Sequence, residues 1–133
     1  GRPAAALEDL GRARALAPHH GLYAFQRGAL LRRLRPGNDG VEEAEKEFAE
    51  AVEHDEDLDS STRAQARLQR GLCLQALGRP EEAAESLAGA LAVDAALLEA
   101  NMALANCYLG LGELEKAELL LRKAKQLAPG DPQ

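Results

Sequence analysis

Residues 64–97 read AQARLQRGLCLQALGRPEEAAESLAGALAVDAAL, and residues 98–131 read LEANMALANCYLGLGELEKAELLLRKAKQLAPGD. The two segments align without a gap at a period of 34 residues. Gly78 falls on Gly112, Ala83 on Ala117, Leu87 on Leu121 and Ala90 on Ala124. Self-similarity at this period marks a helix–turn–helix array, in which each unit buries its apolar face only against its neighbours. The expected fold is therefore all-α, an α-solenoid of stacked helix pairs.

The period extends toward the N-terminus. Ala44, Phe48 and Ala51 have the spacing of Ala83, Leu87 and Ala90, and Gln26-Arg27-Gly28 matches Gln69-Arg70-Gly71. The turn from Arg35 to Gly40 (Arg-Pro-Gly-Asn-Asp-Gly) is longer than the turns at Gly78 and Gly112, and its composition predicts a loop. Ser60, Ser61 and Thr62 are N-cap candidates, and Thr62 with Gln65 fits a capping box. Gly1-Arg2-Pro3 matches Gly78-Arg79-Pro80, and Ala6, Leu10, Ala13 and Pro18 follow the second-helix pattern. The chain thus reads as opening on the second helix of a repeat and stopping, at residues 129–133, on a repeat terminator without a capping helix. It reads as a piece of a longer protein. Seven helices are expected, over about 3–17, 21–35, 41–54, 62–77, 80–93, 96–111 and 114–128. They make one domain, 1–133, divided into a half repeat (1–18) and repeats at 21–58, 64–97 and 98–131.

Small residues recur where helices must meet closely: Gly28, Ala44 and Ala51; Gly71, Ala83 and Ala90; Ala105, Ala117 and Ala124. Large ones stand beside them: Leu31 and Phe48; Leu74 and Leu87; Leu104, Tyr108 and Leu121. Alternation of large and small lets facing ridges interdigitate. Glycine inside a helix costs ~1 kcal/mol relative to alanine, so Gly28 and Gly71 point to close helix approach.

These positions carry a family resemblance. Asn101, Leu104-Ala105, Tyr108, Gly112, Ala117, Leu121, Ala124 and Pro129 follow the tetratricopeptide repeat motif, and the chain is identified as a member of that family over nearly its whole length. Arg27 and Arg70 depart from the motif by replacing a large apolar residue. Their stems are expected on the core and their heads in water or on acids. Ala95 stands where the closing proline is usual, and Ala24, Arg67 and Asn101 occupy the motif's tryptophan-type position. The resemblance implies a right-handed superhelix whose first helices line a concave peptide groove. The matching positions are Phe25, Gln26, Ala29, Arg32, Arg33, Gln65, Leu68, Gln69, Leu72, Gln75, Met102, Asn106 and Leu109. Amides there suit the backbone of an extended peptide, and the apolar residues suit its side chains. Family members that hold the acidic tails of heat-shock chaperones use basic residues and Asn on first helices. The matching positions here include Phe25, Ala29, Gln69, Glu99 and Ala103, none basic. Arg32, Arg33 and Arg35 offer only a weak attraction for an acidic ligand.

Charge is segregated. Residues 1–38 carry a net +5 and residues 39–59 a net −10, a dipole able to steer partners. The acidic stretch from Glu42 to Asp59 reads as a solvated face. Basic residues are not interleaved with aromatics and the whole chain is acidic, which argues against nucleic acid. No apolar run approaches the ~18 residues of a membrane span. Cys73 and Cys107 lie one period apart. Packed helices stand ~8–10 Å apart, beyond the ~7 Å Cα limit of a disulfide, so both thiols are expected unpaired, which suits a cytoplasmic setting.

Catalytic, cofactor and metal sites are not expected. His19 and His20 follow Pro18 in a loop, His54 sits near the end of the acidic helix, and no pair has zinc-ligand spacing. Ser60 to Thr62 cap a helix, and no phosphate-cradling glycine loop is present. The expected function is a non-catalytic scaffold for a protein or peptide partner. The alternatives are a self-assembling unit and a regulatory array of an enzyme outside this chain. One helix face cannot bury Leu119, Leu120 and Leu121 in one core, so another repeat, a capping helix or a second copy is expected to cover the remainder, the last being self-association through exposed array ends.

Overall fold

The computed structural model describes residues 3–16 and 20–128. The expectations for Ala13, Pro18, His19 and residues 129–133 lie outside the described residues or side chains. Seven α-helices are described: α1 Pro3–Leu16, α2 His20–Leu34, α3 Asn38–Glu53, α4 Ser60–Ala76, α5 Pro80–Val93, α6 Leu98–Gly110 and α7 Leu114–Leu127. Each packs on its neighbours in sequence, and α4 also meets α6. This serial stacking is an α-solenoid, with no strand among the described residues.

The turns inside the helix pairs explain the period. Gly78 (φ +75°) and Gly112 (φ +80°) occupy the left-handed region, where a side chain would be strained. Arg79 N–H donates to the Leu74 carbonyl and Gly78 N–H to the Gln75 carbonyl, closing a Schellman motif. Glu113 N–H to the Tyr108 carbonyl repeats the outer bond. Pro80 then starts α5 at a position where its missing N–H costs nothing.

Three boundaries differ from the sequence reading. The loop predicted over Arg35 to Gly40 ends at Gly37, because Val41 N–H reaches the Gly37 carbonyl at 3.0 Å and α3 begins at Asn38. Asp39 lies in that first turn, where the helix dipole favours a carboxylate. Asp59, not Thr62, caps α4: its side chain accepts from Thr62 N–H at 2.7 Å. That backbone bond holds the Asp59 carboxyl below its ordinary pKa. Helix α6 begins at Leu98 rather than 96, because Asp94 accepts from Ala96 N–H at 3.1 Å and holds the chain in a turn.

Most of the predicted large and small residues are buried together: Ala44, Phe48 and Ala51 on α3, Ala83, Leu87 and Ala90 on α5, and Leu31 and Leu74 on the facing helices. A Cβ on Gly28 would stand 2.8 Å from the Phe48 ring, and one on Gly71 2.6 Å from Leu87 Cγ. Both glycines therefore serve close helix approach. Leu121 departs from the pattern. It is 43% exposed, and Leu120 instead packs on the core. The equivalent Phe48 and Leu87 each have a further helix beyond their own, whereas no described helix covers α7. At the α5–α6 turn the fully buried Asn101 donates to the Leu97 carbonyl at 2.9 Å and the Ala95 carbonyl at 3.3 Å. It thereby ties down the turn where the motif's proline is missing.

The acidic stretch is not simply a solvated face. Glu45 and Glu47 are 8% and 7% exposed. Arg27 of α2 meets Glu47 at 2.8 Å, and Arg70 of α4 meets Glu45 at 3.1 Å. Arg67 of α4 meets Asp55 at 2.8 Å. Helix α3 is thus held by arginines from both adjoining helices. A buried carboxylate needs such partners, since its desolvation is costly when uncompensated. The arginines that break the repeat motif are the ones that supply them.

Candidate functional site

The face built from first helices α2, α4 and α6 holds most of the predicted groove residues. On α2, Phe25, Ala29, Arg32 and Arg33 fall on one side by helical spacing, and on α4 Gln65 and Gln69 do the same. These six line an open cavity of about 400 Å³ between the two helices. Its floor includes Phe25, whose ring is tilted against the buried Phe48 at 5.8 Å between centroids. Arg32 Nη1 donates to Gln69 Oε1 at 2.6 Å, bridging the helices across the cavity. Arg33 is exposed in the last turn of α2. The cavity therefore combines an aromatic wall, two guanidinium groups and two amides, a set fitted to a segment with acidic and apolar side chains.

The remaining predicted positions divide. Gln26 is exposed beside the cavity, and Met102, Asn106 and Leu109 are exposed on α6. Gln75 reaches from α4 to the Ala103 carbonyl of α6 at 3.5 Å. Leu72 is half-buried against the core. Leu68 is a correction. It is wholly buried in the main apolar cluster and offers no surface to a ligand. Its spacing on α4 points it between α4 and the adjoining pairs, a distinction of one helix position that sequence spacing does not resolve.

The cysteines are unpaired and buried. Burial pushes the Cys73 thiol up to about 11 and raises that of Cys107. At pH 8 the native protein is thus expected to react with a disulfide reagent far more slowly than the urea-unfolded chain. Labelling as fast as that of a free thiol would contradict this burial.

One grouping was not legible in the sequence. His20, placed in a loop by its neighbours, is the first residue of α2. Its Nε2 lies 2.6 Å from Glu50 Oε2, and His54 Nε2 lies 3.8 Å from the same oxygen. The spacing of Glu50 and His54 puts both on one helix face. No spacing rule, however, connects either to a residue thirty positions earlier.

Residues 74–133 match the family model described as "Tetratricopeptide repeat". Together with seven serially stacked helices and the glycine turns, this decides the family. Over residues 74–133 the chain belongs to the tetratricopeptide repeat family. Among curated protein sequences none matches it significantly. Solved structures do resemble this tetratricopeptide repeat array. A crystal structure of MamA is 18% identical with a TM-score of 0.79, over 96% of this chain and 69% of that one. The second such domain of Spaghetti (RPAP3), bound to the HSP90 peptide SRMEEVD, is 16% identical with a TM-score of 0.71, over 88% and 99%. The domain of Arabidopsis FLU is 29% identical with a TM-score of 0.68, over 80% and 92%. The chain spans 69% and 64% of the length of two MamA structures. Tetratricopeptide repeats commonly mediate protein–protein interaction and are generally non-catalytic modules. No helix among the described residues is long and apolar enough to cross a membrane.

Proposed function

We propose that this tetratricopeptide repeat array is a non-catalytic interaction module that binds a peptide or extended segment of a protein partner along its first-helix face. The repeats are 21–58, 64–97 and 98–131, after a half repeat at 1–18, in one domain. The observation that carries the reading is the cavity of about 400 Å³ between α2 and α4. Phe25, Arg32, Arg33, Gln65 and Gln69 give it a mixed lining, and on α6 Met102, Asn106 and Leu109 are exposed. An extended segment lying across three first helices would place its backbone against the amides and an acidic side chain against Arg33. A chain of this fold binds an HSP90 peptide in the RPAP3 structure, which supports the ligand class. The same peptide is not expected here, because the positions of the basic clamp hold Phe25, Ala29, Gln69, Glu99 and Ala103. The buried unpaired thiols suit a reducing setting such as the cytoplasm.

Selection from a random peptide library tests this reading. Bound peptides are expected to pair an acidic residue with apolar ones. Arg33→Glu, Gln69→Ala and Asn106→Ala together should weaken the best of them at least about tenfold, since each lost hydrogen bond is worth ~1 kcal/mol. Undiminished binding by the triple variant would remove this face from consideration.

A second reading, self-association, rests on a separate observation. Leu114, Leu119 and Leu121 on α7 are 64%, 66% and 43% exposed. Light scattering distinguishes the two readings. A molar mass that rises with concentration and falls back with Leu119→Glu favours assembly, and a constant monomer mass favours the peptide module.

A further inference from the structure

Three side chains from distant parts of the sequence converge where α2 begins and α3 ends. His20 opens α2, Glu50 lies in the last turn of α3, and His54 is that helix's C-cap. One ligand atom from each lies within 4.8 Å of the other two. The two imidazole rings stand 4.5 Å apart between centroids. Backbone geometry holds them there. A Cβ on Gly21 would sit 2.0 Å from the His54 carbonyl oxygen, so only glycine lets the first turn of α2 rest on the end of α3. His20, Glu50 and His54 are 35%, 39% and 44% exposed, which leaves the cluster open to a solute.

We propose that His20, Glu50 and His54 bind a single divalent late-transition-metal cation of the zinc type. Two imidazole nitrogens and one carboxylate oxygen are a donor set that zinc takes, at about 2.0–2.2 Å, with a fourth position left for water. Tetrahedral bonds of that length put ligand atoms roughly 3.3 Å apart. The observed separations of 2.6 and 3.8 Å bracket this value. Half-exposed side chains can adjust by the difference. The hydrogen bond between His20 and Glu50 must give way to the ion, because the metal takes neutral imidazole and ionised carboxylate. Calcium and magnesium are disfavoured, since they take six or more oxygen ligands. A bound ion would cross-link α2 to α3 beyond their apolar contact.

The plain alternative is a hydrogen-bonded ionic triad that needs no metal. Titration of zinc chloride into the whole chain near neutral pH, followed by calorimetry and by the histidine ring nitrogen resonances, separates the two. The expected result is one zinc per chain, proton release, and shifts in the rings of His20 and His54. Magnesium should produce none of these. His20→Gln and His54→Gln should each weaken zinc at least about tenfold, because loss of a mere supporting partner already costs ten- to a hundredfold. Glu50→Gln, which keeps size and hydrogen bonding, should do the same if either histidine variant loses helicity. Zinc should also raise the melting temperature of the parent chain but not of the double histidine variant. Absence of zinc binding through the millimolar range overturns the proposal. So does zinc binding that survives undiminished in the double variant, since the ion then sits elsewhere.

Discussion

Phe48→Ala is expected to destabilise the protein by about 3–5 kcal/mol, the range for truncating a fully buried aromatic. Phe48 has no exposed surface and belongs to a cluster with Leu7, Leu31, Val41, Ala44 and Cys73. Those residues come from α1, α2, α3 and α4, so the ring belongs to a cluster that spans four helices. The fit with Gly28 supplies a sharper test. Gly28→Ala alone should be destabilising despite the ~1 kcal/mol gain in helix propensity, because its Cβ would stand 2.8 Å from the ring. In the Phe48→Ala background the obstacle is gone, and the same change should stabilise by up to ~1 kcal/mol. Urea denaturation followed by circular dichroism measures the four corners of this cycle. Simple additivity of the two changes would refute the proposed contact.

Gly21→Ala is expected to cost about 3 kcal/mol, the upper end of ordinary overpacking. The atom its Cβ would strike is the His54 carbonyl oxygen at 2.0 Å, and no rotamer change can move a backbone oxygen aside. Relief requires α2 to lift from the end of α3. In a serial array such damage stays local, because each unit contacts only its neighbours. Hydrogen exchange should therefore quicken in α1 and α2 while α5 to α7 keep their protection. Gly110→Ala is the control. Nothing lies within 4 Å of its Cβ and its φ is not positive, so it should be neutral or stabilising by up to ~1 kcal/mol. Equal effects at the two glycines would show that propensity, not helix approach, governs both.

The two glycines also mark a boundary in what the sequence reveals. Gly28 and Gly71 recur one repeat unit apart within helices, and their role in close approach follows from the pattern alone. Gly21 lies in the first turn of α2 and has no glycine at the repeating positions, so only its distance to His54 exposes its role. The same contrast runs through the first-helix face. Spacing places Phe25, Ala29, Arg32, Arg33, Gln65 and Gln69 on one side, and the structure joins them in one cavity. Spacing also offers Leu68, which the packing of α4 instead turns inward. Composition makes the stretch from Glu42 to Asp59 a solvated acidic surface, yet Glu45 and Glu47 are buried against Arg70 and Arg27.

By itself, the sequence determined the helix count, the turn glycines, the alternation of large and small residues and the unpaired state of the cysteines. All of these are set by interactions within one repeat or between equivalent points of adjacent repeats, and such interactions recur at a fixed spacing. The tertiary structure alone decided which acids meet which arginines, which leucine of Leu119 to Leu121 is covered, and that His20 stands against Glu50 and His54. Those contacts depend on how far one helix slides and rotates against the next. A shift of a single residue, about 1.5 Å of rise and a quarter of a turn, would exchange their partners while leaving the 34-residue period unchanged.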